Sequence, residues 1–135
     1  MIKELLVKKE IKVTNQRIII LNEIIKWKKP FKAIDLFSFL LMHQNIDLAT
    51  VYRVLTLFKD KQIIREVIIS EGEQYFENSL TDNPVHPHFL CEKCHKISCL
   101  DSAIPKQMLS SSNFPEDYII NDISVNIKGI CSNCV

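Results

Sequence analysis

Apolar residues recur at helical spacing through the first sixty positions of the chain. Residues 2–10 predict a short helix with Ile2, Leu5 and Leu6 on one side, and Thr14 can cap a second helix that ends before Pro30. The cap is expected because a threonine side chain accepts a hydrogen bond from an otherwise unpaired backbone N–H. The apolar stripe of the second helix is predicted at Ile18, Leu21, Ile25 and Trp27.

Two further helices follow in the same pattern. Residues 33–41 carry apolar side chains at i, i+3, i+4, i+7 and i+8, which predicts a helix with one buried face. These side chains are Ala33, Leu36, Phe37, Leu40 and Leu41. After a polar break, Asp47 can cap a fourth helix over residues 47–60. Its inner stripe is predicted at Leu48, Val51, Leu55 and Phe58, and its outer side at Thr50, Arg53, Thr56 and Asp60.

The period then changes from that of a helix to that of a strand. Residues 63–69 are rich in β-branched side chains, Glu71 and Gly72 offer a turn, and residues 74–77 can return as the second strand of a hairpin. Helices followed by a two-stranded hairpin give the order of a winged helix-turn-helix. Residues 47–60 are then the candidate recognition helix.

The second half of the chain predicts a small sheet. Short strands are predicted over residues 86–91 and 96–100, and alternating isoleucines predict a long third strand over 118–128. Residues 101–117 contain two prolines and three consecutive serines, which indicates a loop with at most one helical turn. Polar residues 79–85 separate this part from the hairpin.

The predicted fold class is α+β, with two domains. A winged helix-turn-helix domain over residues 1–80 and a hinge at 81–85 precede a small α/β dimerisation domain over 86–135, built on the three-stranded sheet. A sheet domain of about fifty residues has a marginal core of its own. A bound metal and a second copy of the chain are therefore both expected to support it.

Composition limits the class of protein. The chain has 135 residues, of which 47% are hydrophobic, and only two glycines, as in an ordinary globular protein. It contains no run of about eighteen apolar residues, and its N-terminal residues do not form an export signal. A cytoplasmic location is expected, where cysteine pairs favour metal binding over disulfides.

Charge is divided unevenly between the two halves. Residues 1–80 carry thirteen Lys and Arg against ten Asp and Glu, whereas residues 81–135 carry four against six. A basic first half fits contact with nucleic acid, although a solvated lysine-rich surface gives the same counts. On residues 47–60, a small Ala49 allows close approach to bases, and Arg53 can reach a phosphate or a guanine. An ordinary amphipathic helix has the same periodicity.

Two C-x-x-C pairs carry the strongest chemical signal. Cys91 and Cys94 form one pair, and Cys131 and Cys134 form the other. Four thiolates in two such turns complete a tetrahedral zinc shell. A redox pair would explain one motif and leave the other unexplained. A zinc deaminase needs H-x-E and P-C-x-x-C, which the sequence does not contain, so no enzymatic activity is predicted.

Two histidines lie just ahead of the first cysteine pair. In a strand, residues i and i+2 share a face, so His86 and His88 can bind one ion together. Taken singly, a histidine is more often structural, Cys99 would be a small buried thiol, and Glu77 would be a surface charge of the wing. His95, inside the cysteine turn, is predicted to be exposed.

Taken together, these motifs resemble the ferric uptake regulator family. The resemblance is carried by A-T-V-Y-R at residues 49–53, Y-F-E at 75–77, H-x-H-F-x-C-x-x-C at 86–94 and the last C-x-x-C. Family members are dimeric bacterial metal-dependent repressors with an N-terminal DNA-binding domain and a C-terminal dimerisation domain. The resemblance implies structural zinc at the four cysteines. It also implies DNA contacts, for which the predicted residues are Lys12, Arg17, Ala49, Thr50, Tyr52 and Arg53.

The resemblance further implies a second, exchangeable metal site between the two domains. In the family this site takes a histidine from the loop before the third helix, an acid from the wing, the H-x-H pair and an acid after C-x-x-C. Here the loop position falls near Pro30, and Cys99 replaces the last acid. The predicted regulatory ligands are Glu77, His86, His88 and Cys99. Many proteins of the family have a further cluster of this kind. It is absent here, because the corresponding positions fall near Val85, Pro87, Lys106 and Ile123.

The predicted function is a metal-responsive repressor that binds a palindromic operator as a homodimer and controls metal-homeostasis genes. One thiolate, two imidazoles and one carboxylate suit zinc better than manganese, so zinc is the predicted effector as well as the structural ion. Iron-responsive, manganese-responsive and peroxide-sensing regulators of the same family remain alternatives. A zinc-ribbon protein-interaction module without DNA binding is an alternative of another class.

Overall fold

The computed structural model describes residues 1–80, 83–100, 114–121 and 123–135. Within these residues the chain forms four helices, α1 (Ile2–Lys8), α2 (Asn15–Lys26), α3 (Ala33–Leu41) and α4 (Leu48–Asp60). Five strands follow, β1 (Ile64–Ser70), β2 (Glu73–Asn78), β3 (His88–Cys91), β4 (Ile97–Cys99) and β5 (Asn126–Gly129). None of the described helices combines the length and the apolar character that a membrane crossing requires.

The predicted capping residues begin α2 and α4. The Thr14 hydroxyl accepts a backbone N–H of the first turn of α2 at 3.3 Å, and the Asp47 carboxylate does the same for α4 at 2.7 Å. The first helix is shorter than predicted and ends at Lys8. Glu10 has a φ of 58°, and this left-handed conformation cannot continue a right-handed helix.

The helices and the hairpin share one apolar core, and the buried face of α2 keeps the predicted Leu21 but is shifted from the rest of the predicted stripe. Its buried residues are Ile20, Leu21 and Ile24. Ile18, Ile25 and Trp27 are only partly buried against the core. Because apolar residues surround much of α2, hydrophobicity alone does not identify the sector that faces the core.

Three further predictions on α3 and α4 are wrong. Leu41 is 50% exposed and Leu48 is only partly buried, because each lies at the edge of the sector that faces the core. Thr50, predicted on the outer side, is buried at 7% exposure. It lies one turn ahead of Val54, which is also buried and had not been assigned to the inner stripe.

β1 and β2 form the predicted antiparallel hairpin. Ser70 pairs with Glu73 across a two-residue turn. In that turn Glu71 and Gly72 have φ values of 53° and 77°, as a type I′ turn requires. A bulge between Glu66 and Ile68 shifts the register of the rest of the hairpin.

β3, β4 and β5 form the predicted three-stranded sheet, in the order β4-β3-β5. β3 is antiparallel to β4 and parallel to β5. The long strand predicted over residues 118–128 is wrong in extent, since β5 begins only at Asn126. A strand needs a neighbouring strand to pair with its backbone N–H and C=O groups. The neighbour of β5 is β3, which has only four residues, so β5 pairs over four residues as well. Most of the loop predicted over 101–117 lies outside the described residues.

The predicted hinge at residues 81–85 is described only from Asn83 onward. Asn83 is buried, and its side chain donates a hydrogen bond to the Asn78 carbonyl at 2.8 Å. The described part of this segment therefore packs against the end of β2.

Candidate metal centres and nucleic-acid interface

The two C-x-x-C pairs meet at one end of the second sheet. Cys91 ends β3 and pairs with Gly129 of β5, so the turns that follow these parallel strands lie side by side. The four sulfur atoms lie within 4.8 Å of one another, and Sγ of Cys94 is 3.8 Å from Sγ of Cys131. A tetrahedron with zinc–sulfur bonds has edges of about 3.8 Å. The donor set and its spacing therefore fit one zinc ion.

The protein favours the thiolate form of one of these sulfurs. Cys91 Sγ accepts backbone N–H bonds from Cys131 and Cys94, both at 3.4 Å, which lower the pKa of the Cys91 thiol to about 5. Contact with the Cys131 sulfur and burial raise the pKa of Cys134 to about 12. Four thiols this close oppose each other's ionisation, and a divalent cation removes that conflict.

A second cluster joins the wing to the second sheet. Glu77 lies near the end of β2, His86 lies two residues before the start of β3, and His88 and Cys99 pair across β3 and β4. Their ligand atoms lie within 4.8 Å of one another. Glu77 Oε2 is 3.1 Å from Nε2 of His88 and 3.5 Å from Nε2 of His86. The structure thus brings the four predicted regulatory ligands together, and Glu77 is buried instead of being a surface charge.

This cluster also fits a four-coordinate ion. A tetrahedron with bonds to nitrogen and oxygen of about 2.0–2.1 Å has edges of about 3.3–3.4 Å, between the two observed distances. Nδ1 of His86 lies 2.8 Å from the Pro84 carbonyl, and donation there leaves Nε2 as an acceptor. Among the described residues, Nδ1 of His88 is a buried nitrogen without a hydrogen-bond partner. Nε2 of His88 is the nitrogen beside Glu77 Oε2, so an ion bound through Nε2 leaves Nδ1 without a partner.

Sequence reasoning missed Arg65, which is buried beside the second cluster. Its Nε and Nη2 donate to Glu77 Oε1 at 2.8 Å and 2.6 Å. Burial opposes ionisation of Glu77, but the hydrogen bond from His88 and the charge of Arg65 outweigh it, so the pKa of Glu77 lies below its usual range. The carboxylate is therefore compensated by the protein itself.

The candidate nucleic-acid interface is formed by α4 and the residues that begin α2. Ala49 and Arg53 are exposed, and Tyr52 is 50% exposed on the same helix. Lys12 is exposed just ahead of α2, and its carbonyl accepts a hydrogen bond from Arg17 Nη1 at 2.7 Å.

Thr50 contributes to this surface from a buried position. Its Oγ1 accepts a hydrogen bond from Nη2 of Arg53 at 3.1 Å, which orients the guanidinium along α4. Arg17 and Arg53 line one cleft between α2 and α4. Arg53 thus lines the same cleft as a second arginine, and both side chains are of a kind that contacts phosphates.

The fold and its clusters define a class: a protein of four helices and a hairpin, followed by a three-stranded sheet that carries a four-thiol cluster with the geometry of a metal site. The sequence model of the Ferric uptake regulator family matches residues 8–128. The chain belongs to the ferric uptake regulator family, which confirms the resemblance and the predicted fold class.

Individual relatives match much of the chain. The ferric uptake regulation protein of Legionella pneumophila is 31% identical over 91 residues, 67% of this chain and 65% of that protein. The peroxide-responsive repressor PerR of Staphylococcus epidermidis is 29% identical over 127 residues, 92% of this chain and 81% of that protein. The crystal structure of the Vibrio cholerae ferric uptake regulator superposes with a TM-score of 0.72 at 27% identity, covering 95% of this chain and 98% of that one. The matched region thus spans slightly less than two thirds of the Legionella protein and most of the other two.

Proposed function

We propose that the protein is a metal-responsive DNA-binding repressor that acts as a homodimer and responds to zinc. The observation that carries the proposal is the cluster of Glu77, His86, His88 and Cys99. One of its members belongs to the wing of the DNA-binding domain and the others to the second domain. Ligands on both sides of a hinge are what a metal needs in order to change the angle between two domains.

The proposed mechanism acts through that angle. Glu77 moves with residues 1–80, and the other three ligands move with residues 86–135. A bound ion supplies directional bonds to all four. The ligands then favour one relative orientation, in which the two copies of α4 in a dimer fit successive major grooves. A coupling of this kind typically amounts to ~1–3 kcal/mol, or roughly five- to 150-fold in operator affinity.

The four-cysteine cluster has a different proposed role, that of a structural zinc site. Cys91 and Cys94 follow β3, and the other pair follows β5, so ligation closes the end of the sheet. Because the ligands must be brought together to bind, folding and zinc binding are linked. This site is therefore proposed to hold zinc in both regulatory states.

The exposed apolar residues around β5 support the homodimer. β5 lies at one edge of the described sheet, and an unpaired strand edge is a template for pairing with another chain. Ile119 is 88% exposed, Ile127 is 37% exposed and Ile130 is 47% exposed. A two-fold dimer presents two copies of α4, which implies a palindromic operator. The proposed contacts to it are Lys12, Arg17, Ala49, Tyr52 and Arg53, whereas Thr50, predicted as a contact, is buried and positions Arg53 through its hydroxyl.

Zinc is favoured over manganese because the cluster offers one thiolate, two imidazoles and a single carboxylate, whereas manganese prefers oxygen ligands. Iron is the second candidate, since the Legionella and Vibrio relatives are named as ferric uptake regulators. Ferrous iron also accepts imidazole ligands. The metal must therefore be decided by titration.

The test is a metal titration of DNA binding. Protein that retains only its four-cysteine zinc is combined with a duplex selected from a random pool, and zinc, ferrous iron or manganese is added at buffered free concentrations. Zinc should raise affinity by roughly five- to 150-fold. His86→Ala and His88→Ala should lose this response, whereas His43→Ala, a change to an exposed histidine on the other domain, should keep it.

Each contrary outcome has its own meaning. Restoration by ferrous iron or manganese at free-metal levels where zinc is inactive would contradict the zinc assignment. Tight metal-independent binding by His88→Ala would remove the regulatory site from the proposal. A protein that binds no duplex in any metal would favour a protein-interaction module instead.

A further inference from the structure

Arg65 binds one oxygen of the Glu77 carboxylate and leaves the other oxygen to the histidines of the cluster. It lies opposite Glu77 in the hairpin register and is only 5% exposed. Both of its short contacts, at 2.8 Å and 2.6 Å, are made to Oε1. The other oxygen, Oε2, faces Nε2 of His88 and of His86. Oε1 of Glu77 therefore accepts hydrogen bonds from the guanidinium, and Oε2 lies beside the two histidines of the cluster.

Arg65 also holds the segment that carries one of the histidines. Its Nη2 donates to the Asn83 carbonyl at 2.9 Å and lies 3.2 Å from the Pro84 carbonyl. The Pro84 carbonyl is also the partner of Nδ1 of His86. A single guanidinium thus touches the carboxylate and the backbone that orients the neighbouring imidazole, so its removal would affect two ligands of one site.

A carboxylate can bind a metal through one oxygen or through both. Binding through both raises the coordination number and suits ions that take six or more oxygen-rich ligands, whereas zinc is satisfied by four ligands in a tetrahedron. An arginine that binds one carboxylate oxygen through two N–H groups competes directly with the two-oxygen mode.

We propose that Arg65 is a positioning residue that limits Glu77 to one coordinating oxygen, keeps the Glu77, His86, His88 and Cys99 site four-coordinate, and so selects zinc over metals that require more ligands. This inference rests on the proposed regulatory site and adds the source of its selectivity. Arg65 exerts this effect without binding the metal.

The test uses Co²⁺ as a spectroscopic probe of coordination number. Co²⁺ absorbs visible light much more strongly in a four-coordinate site than in a five- or six-coordinate one. Protein that keeps zinc in its four-cysteine site receives Co²⁺, and difference spectra are recorded for the parent, Arg65→Gln and Arg65→Lys. Zinc and manganese affinities of each protein are then measured by competition with a chelating dye, and circular dichroism reports folding.

The parent should show the four-coordinate spectrum. Arg65→Gln should show the weaker spectrum of a higher coordination number, because Oε1 becomes available. Its affinity for zinc should fall by about 10- to 100-fold, the usual effect of removing a group that supports a metal ligand, and its affinity for manganese should fall less. Arg65→Lys keeps a cation beside Oε1 and should retain the spectrum of the parent.

Two results would overturn the inference alone: a five- or six-coordinate spectrum in the parent, or an unchanged spectrum and unchanged selectivity in folded Arg65→Gln. The first requires no variant, so the inference stays testable if Arg65→Gln does not fold. A parent that binds no Co²⁺ beyond its four-cysteine site would instead overturn the proposed regulatory site, and the selectivity role of Arg65 with it.

Discussion

The two clusters differ in how far the protein compensates the charges of their ligands in the absence of a metal. Glu77 already has partners in Arg65 and His88, so its buried charge is compensated by the chain. In the four-cysteine cluster, contact with the Cys131 sulfur raises the pKa of the Cys134 thiol, whereas backbone N–H groups lower the pKa of Cys91. The chain thus compensates the carboxylate of the second cluster, although Nδ1 of His88 has no partner, whereas the close thiols of the first cluster oppose each other's ionisation until a cation binds.

The largest effect should therefore come from the four-cysteine cluster. Cys134→Ser removes one of four ligands, and because zinc binding and folding are linked, the second domain should lose its zinc and its fold. The dimer should dissociate with it. Zinc analysis, thermal unfolding and light scattering measure the three consequences.

Cys99→Ser is the matched control for that experiment. It makes the same chemical change in the same domain but at the other cluster, so the four-cysteine zinc, the dimer and the melting temperature should persist. The proposal that only the four-cysteine cluster is structural would be wrong if the two variants behaved alike, or if Cys134→Ser kept full zinc content.

The same contrast explains how much of the sites was predictable from the sequence. The four cysteines are visible because a C-x-x-C turn is local and its geometry follows from spacing. In the second cluster, strand spacing indicates the pair His86 and His88, but Glu77 and Cys99 join it only through the resemblance to a family. Their convergence within 4.8 Å is a property of the folded chain.

Arg65 shows why part of the second cluster escaped prediction. The turn at residues 71–72, continued without a bulge, would place Arg65 opposite Asn78. The bulge between Glu66 and Ile68 shifts the register by one residue and places it opposite Glu77. A bulge of this kind has no reliable sequence signature, so neither the ion pair nor the division of the carboxylate could be deduced.

The fold itself was largely predictable, because its helix caps and its two-residue turn are local features. The errors arose where packing chooses among equivalent patterns. The apolar residues of α2 allow several buried faces, and the alternating isoleucines before Asn126 satisfy a strand pattern without a partner strand of matching length. In both cases tertiary contacts decide what the sequence pattern leaves open.

A smaller effect should separate DNA contact from metal response. Arg53 lies on the exposed side of α4 and in neither cluster, so Arg53→Ala should weaken operator binding by about 1–3 kcal/mol if the guanidinium reads a base. The loss should be the same with and without effector metal. The ratio of the two affinities, which reports the coupling, should stay at its parent value.

Lys59→Ala, at the other end of α4, is the matched control for Arg53→Ala and should bind close to the parent. Fluorescence anisotropy with a labelled duplex, at two buffered zinc concentrations, gives the affinity with and without effector metal and therefore their ratio. A changed ratio in Arg53→Ala would mean that the DNA surface and the second cluster are not separable, and the two-cluster division of roles would need revision.

The smallest effect concerns Lys12, which is exposed just ahead of α2. A lysine that neutralises one phosphate releases a counterion, so each contact adds about 0.9 to the slope of log affinity against log salt. A dimer carries two such lysines, and Lys12→Ala should therefore reduce the slope by about two. Lys3→Ala, which removes an exposed charge from α1, should leave the slope unchanged. Equal slopes for Lys12→Ala and the parent would place Lys12 away from the DNA, while leaving the roles of the two metal clusters intact.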